Sequence, residues 1–159
     1  VLAQGISLNV NLTIGTITLL ISIAVLILWI PLGLKPGMGT IFNALIIALM
    51  IDLCIKFVPT PSNYIHQIIL AIISVITVGI GGGIYLVSNL GAGPRDGLMI
   101  GLQKISNLPI AVVRGTLEIS VVSVGWYLGG TVGLGTLLFA FGIGPCVALG
   151  LYLVDKIFD

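Results

Sequence analysis

Five apolar runs of 19 to 27 residues alternate with short polar or glycine-rich breaks along this chain. They are Thr13–Leu32, Thr40–Val58, Tyr64–Leu90, Ile110–Leu128 and Thr136–Val154. As helices, each is long enough to cross the ~30 Å of hydrocarbon in a bilayer. Pro59-Thr60-Pro61-Ser62-Asn63 breaks the chain between the second and third runs, and Gly33–Gly39 and Gly129–Gly135 supply glycine-rich connectors. Between Leu90 and Ile110 the pattern changes. The turn Gly91-Ala92-Gly93-Pro94-Arg95-Asp96 precedes an apolar stretch, Gly97–Ile105, that is too short to cross. Asp96 is placed to cap this short helix, and Asn107-Leu108-Pro109 ends it.

The runs repeat. Displaced by 96 positions, the stretch from Val1 to Cys54 falls on Gly97 to Gly150 with 15 of 54 pairs identical and no gap. Gly5 meets Gly101, Gly33 meets Gly129, Gly37 meets Gly133, Gly39 meets Gly135 and Thr40 meets Thr136. A second short helix is therefore expected over Leu2–Val10. The division is a first repeat at 1–58, lacking its opening span, and a second at 59–159, within a single membrane domain. The expected fold is all-α: a polytopic helix bundle with five spans here and six in a full-length protein. A repeat unit with an odd number of spans forces its two copies to point in opposite directions across the bilayer, the plan of many secondary transporters.

Composition narrows the class. Hydrophobic residues make up 58% of the chain and charged residues only 7%. A soluble surface takes roughly 25% charged residues. A net charge of +1 gives no field for nucleic acid. Cys54 and Cys146 lie inside apolar runs without metal-ligand spacing. Basic residues in short loops set orientation. Alternating spans put Lys35, Arg95, Lys104 and Lys156 on one side against Lys56 on the other, which places the C-terminus in the cytoplasm. Trp29, Tyr64, Trp126 and Tyr127 near span ends read as an aromatic belt.

Gly91-Ala92-Gly93-Pro94-Arg95-Asp96-Gly97-Leu98-Met99, then Arg114 and Glu118, then Gly125-Trp126 through Gly135-Thr136, resembles the YczE branch of the YitT-like bacterial membrane proteins. Pro36-Gly37-x-Gly39-Thr40, with Asn43 and Asp52 after it, carries the same resemblance. It implies a bacterial cytoplasmic membrane protein of five or six spans, usually with a further N-terminal span and a first Gly-x-Gly-Pro-x-Asp turn. It implies no reaction.

Few residues could carry chemistry. Arg114 and Glu118 stand four apart on one expected helix and can pair on its face. Charged groups at span centres cost roughly 2.5–3.5 kcal/mol and usually face the bundle interior. The pair is either a substrate or proton site, with Arg114 tuning Glu118, or a structural pair. The first repeat has Thr18 and Ser22 at these places, so any site is asymmetric. Asp52 is expected to pair with Lys56, or else to face Glu118 as a pathway carboxylate. Asn43 is a candidate interhelical donor. In the turn Gly91, Gly93, Pro94, Arg95 and Asp96, Arg95 beside a half-helix start could attract an anion, or simply be a positive-inside residue. Gly79 and Gly83 form a Gly-x-x-x-Gly pair suited to close helix packing.

No nucleophile–base set, phosphate loop or metal cluster is recognisable, so neither an enzyme nor a cofactor is expected. The expected function is a small transporter or permease-like protein for a small solute. The alternative is a membrane accessory or regulatory protein acting through a partner. The bilayer is the one partner the composition requires.

Overall fold

Each apolar run becomes a helix, and small polar residues cap the starts of two of them. The computed structural model describes every residue except Thr60, Asn89 and Asp159, and every side chain except theirs and those of Ile110, Ala111, Ile157 and Phe158. Thr60 of the Pro59–Asn63 break thus lies outside the described residues. The helices are α1 (Leu2–Asn9), α2 (Ile14–Trp29), α3 (Met38–Phe57), α4 (Tyr64–Val87), α5 (Pro94–Ser106), α6 (Ile110–Tyr127) and α7 (Leu134–Phe158). Among the described residues there is no strand. Thr13 Oγ1 accepts the Thr16 N–H at 3.2 Å to cap α2, and Asn63 Oδ1 accepts the Ile65 N–H at 3.0 Å to cap α4. Asn107, left-handed at φ 53°, closes α5.

Helices α3, α4 and α7 are long and apolar enough to cross a membrane. A fourth span is counted if α1 and α2, bent by 115° at their break, act as one. Outward-facing apolar side chains such as Phe42, Leu49 and Phe141, the last 80% exposed, suit hydrocarbon.

The 96-residue repeat recurs in local structure. Ile14 and Ile110 begin α2 and α6, and Met38 and Leu134 begin α3 and α7, each pair 96 residues apart. Gly33 and Gly129 both take positive φ, 66° and 91°, a conformation that favours glycine. The Gly37 N–H donates to Thr40 Oγ1 at 3.2 Å and the Gly133 N–H to Thr136 Oγ1 at 3.5 Å, the same half of a capping box.

One compact unit comprises α1, α2, α3, α5 and α6; the other comprises α4 and α7. In the first, the short helices exchange partners: α1 packs on α6, and α5 packs on α2. A side chain on Gly5 would meet Leu128 at 3.0 Å, and one on Gly101 would meet Leu32 at 3.0 Å. These are the same contact with the repeats interchanged. A side chain on Gly125 would meet Val1 at 2.8 Å, and one on Gly97 would strike the Trp29 ring. The two contacts correspond across the repeat, but Gly125 meets the backbone of Val1 and Leu2 where Gly97 meets an indole ring. Helices α2 and α3 pack together with Gly15 seated against Ala48, and Ile17, Ala44 and Ala48 are buried.

In the second unit, Gly79 and Gly83 let α4 approach α7 closely, as their spacing suggests. A side chain on Gly79 would collide with Cys146, and one on Gly83 would come within 2.6 Å of the Val147 carbonyl oxygen. Gly150 returns the approach, 2.6 Å from the Ile80 carbonyl oxygen by the same measure. Such small-residue contacts convert close backbone approach into dispersion attraction.

Candidate functional site

The turn before α5 is held by its carbonyl groups. Gly91, at φ 115°, adopts a conformation that L side chains resist. The Leu90 carbonyl accepts the Gly39 N–H at 2.9 Å. The Ala92 carbonyl accepts the Thr40 hydroxyl at 2.6 Å, and the Pro94 carbonyl accepts the Trp29 indole Nε1–H at 2.9 Å. The C-terminal end of α2 and the N-terminal end of α3 therefore grip consecutive alternate residues of the turn. Thr40 is wholly buried and Trp29 is 3% exposed. Both polar tips are satisfied, as burial demands.

Trp29 thus departs from the expected aromatic belt. Its ring lies inside, over Gly97, because α5 docks on α2 there and glycine leaves the space. Trp126 and Tyr127, at the end of α6, do face outward.

Pro94 is the first residue of α5, where its missing N–H would be unpaired anyway and its fixed φ suits the helix. That moves the helix start ahead of the expected one. Gly93, not Asp96, occupies the cap position, with no side-chain cap bond. Asp96 lies within the first turn, where the helix dipole favours a carboxylate. Asn43 and Asp96 bracket Gly93: a side chain there would meet Asn43 Oδ1 at 3.2 Å and Asp96 Oδ2 at 3.3 Å.

Arg95 extends from this turn to α6, where its guanidinium forms an ion pair with Glu118. The expected pairing of Glu118 with Arg114 along one helix is replaced by a bridge between helices. Packing of α5 on α6 brings the longer-range partner into reach. The Glu118 side chain is 20% exposed and that of Arg95 54%. Arg114, one turn before Glu118, stays close enough that its charge is felt at both Arg95 and Asp96. Desolvation lowers the Arg95 guanidinium from its ordinary value, with Asp96 opposing. Desolvation by the surrounding chain pushes the Asp96 carboxyl up, while Arg95 and Arg114 pull it back. The site therefore gathers Asn43, Arg95, Asp96, Arg114 and Glu118 around a half-length helix start. In the first repeat the equivalents of Arg114 and Glu118 are spent locally: Thr18 donates to the Ile14 carbonyl at 2.7 Å and Ser22 to the Thr18 carbonyl at 2.9 Å.

Asp52 is engaged elsewhere. Its Oδ2 accepts the Thr13 hydroxyl at 2.6 Å and its Oδ1 accepts the Gly15 N–H at 2.7 Å. It caps the start of α2 from the neighbouring helix, in place of the expected salt bridge to Lys56. Lys56 Nζ lies instead 5.8 Å from the Phe57 ring centre. On α3, Asp52 is nine residues from Asn43, about 13 Å along the axis. Among the described residues, no group of His, Cys, Asp and Glu side chains could hold a metal ion.

Comparison with known proteins places these features in a family. The model of a family of unknown function, DUF6198, matches residues 1–151. An uncharacterized protein of Haemophilus influenzae is 44% identical over 157 residues, 99% of this chain and 72% of that protein. The uncharacterized membrane protein YczE of Bacillus subtilis is 34% identical over 105 residues, 66% of this chain and 49% of that protein. No solved structure matches.

Proposed function

This chain belongs to the DUF6198 family of membrane proteins of unknown function, and we propose that it is a small transporter whose solute path runs past the junction of α5 and α6. The observation that carries this reading is the Arg95–Glu118 ion pair, which ties the first turn of a half-length helix to the middle of a longer one. Charged groups kept at membrane depth usually line a path or pair across it. Short helices whose ends meet charged residues are how many transporters build their sites.

On this reading α2 and α6 cross the bilayer together with α3, α4 and α7, giving five spans. The two copies of the repeat then run in opposite senses, related by an axis in the membrane plane. The reciprocal contacts Gly5–Leu128 and Gly101–Leu32 support a two-fold relation of that kind. The C-terminus lies in the cytoplasm of a bacterial inner membrane, on the side of Lys35, Arg95, Lys104 and Lys156.

Uptake into proteoliposomes tests the proposal. Vesicles holding the full-length protein should accumulate a solute from a metabolite extract, read by mass spectrometry against empty vesicles. Glu118→Gln should abolish accumulation while leaving the thermal unfolding midpoint within a few degrees. No accumulation by the unaltered protein, together with a stoichiometric partner that Glu118→Gln still retains, would replace transport with an accessory role.

A further inference from the structure

Resting on the transport reading, we infer that the Glu118 carboxylate holds the place of a small organic monocarboxylate, which binds between Arg95 and Arg114 when Glu118 moves aside. Three observations converge. First, what Arg95 already grips is a carboxylate, supplied from another helix; a guanidinium fork matches that group's planar geometry and not merely its charge. Second, Arg114 lies four residues before Glu118 on α6, about 6 Å along the axis, and no ion pair is assigned to it among the described residues. Its charge nonetheless reaches Arg95 and Asp96. Third, the pair is not sealed: the Arg95 side chain is 54% exposed, leaving an approach for a ligand.

Charge balance sets the valence. With Glu118 engaged, Arg95 and Arg114 face Asp96 and Glu118, and the cluster is neutral. Turning Glu118 away from Arg95 moves one negative charge off that guanidinium, and a single carboxylate in its place replaces that charge one for one. A dianion would leave excess negative charge beside Asp96, at a cost that rises in a low-dielectric setting. Asn43, across Gly93 from Asp96, adds a neutral amide that can serve the remainder of the solute. Glu118 then acts as a tethered competitor. It closes the empty site, is exchanged for solute, and reclaims Arg95 as solute leaves.

A tethered competitor has a distinctive consequence. Its removal tightens binding while impairing turnover, because the step that expels solute is lost. The test uses the full-length protein in detergent, with propionate as probe and inorganic phosphate and methylammonium as controls, read by thermal shift and calorimetry. Glu118→Gln should bind propionate at least tenfold more tightly than the unaltered protein. Arg114→Gln should weaken propionate binding at least tenfold, and phosphate and methylammonium should leave both proteins unmoved. Glu118→Leu serves as a second variant, judged by gel filtration and helical content, and should behave as Glu118→Gln does. Propionate binding that weakens or stays constant in both Glu118 variants would overturn the inference. So would stabilisation by methylammonium that depends on Glu118. Neither result touches the uptake experiment: accumulation of a solute without a carboxylate would keep transport and discard this ligand class.

Discussion

Trp29 and Gly97 share one volume. The indole fills the space a side chain at residue 97 would need, and its Nε1–H donates to the Pro94 carbonyl at 2.9 Å. At the repeat-related position, Gly125 lies against the backbone of Val1 and Leu2, with no ring in the contact. With the indole, the short helix gains a polar latch as well as a packed surface. That latch is next to Arg95, so the ion pair to Glu118 is presented from a fixed turn.

Gly97→Ala should be among the most damaging small substitutions in the chain, since the added carbon has no room against the ring. Trp29→Phe should lose mainly the hydrogen bond, about 1 kcal/mol. Trp29→Ala should cost about 3–5 kcal/mol through the cavity left behind. Thermal unfolding in detergent reads all three. A Gly97→Ala protein as stable as the parent would count against the packing described.

Asp52→Ala should remove a cap from the start of α2, at about 0.5–2 kcal/mol. The carboxylate bonds both the Thr13 hydroxyl and the Gly15 N–H, so Asp52→Asn should recover part of the loss. Lys56→Ala should change stability by less than about 0.5 kcal/mol, as for other exposed positions. A Lys56 effect equal to that of Asp52 in chemical denaturation would restore the salt bridge and dismiss the cap.

Within the unit of α4 and α7, Gly83→Leu should separate the helices, because Gly83 lies against the Val147 carbonyl and Gly150. Gly81→Ala has open space, with nothing within 4 Å, and should be neutral or slightly stabilising through helix propensity. Crosslinking between cysteines introduced on facing turns of α4 and α7 gives the measurement. Equal yields in the two variants would argue against glycine-dependent contact.

The pH response of Asp96 has a definite sign. Desolvation raises its folded-state pKa above the ordinary 3.8, so the folded chain holds that proton to higher pH than the unfolded chain does. Between those two values the folded state carries more protons, and this group's contribution to stability falls as pH rises. Asp96→Asn should remove that decline, giving a flatter profile of unfolding midpoint against pH above 3.8. Parallel profiles for the two proteins would show that Asp96 is not desolvated.

The five long apolar runs and both short helices were legible because they depend on local quantities: the length of an apolar stretch, a cap residue, a proline. Errors at the α5 start have a local cause too, since Pro94 at the first helical position moves the boundary upstream of Asp96. The Gly79–Gly83 spacing also carried its meaning. Thr40, in contrast, was visible only as a member of the repeated Gly-x-Gly-Thr pattern, which says nothing about the Ala92 carbonyl it reaches.

Sequence by itself determined that this is a helical membrane chain with a repeat 96 residues long, because hydrophobic run length and side-chain identity are properties of the strand of residues alone. Tertiary structure alone decided which partners the few polar groups take. Glu118 meets Arg95 in place of Arg114, Asp52 meets Gly15 in place of Lys56, and Trp29 turns inward. In each case the choice was made by the docking of one helix on another. Docking fixes distances between residues far apart in the chain, and a spacing rule along one helix cannot contain them.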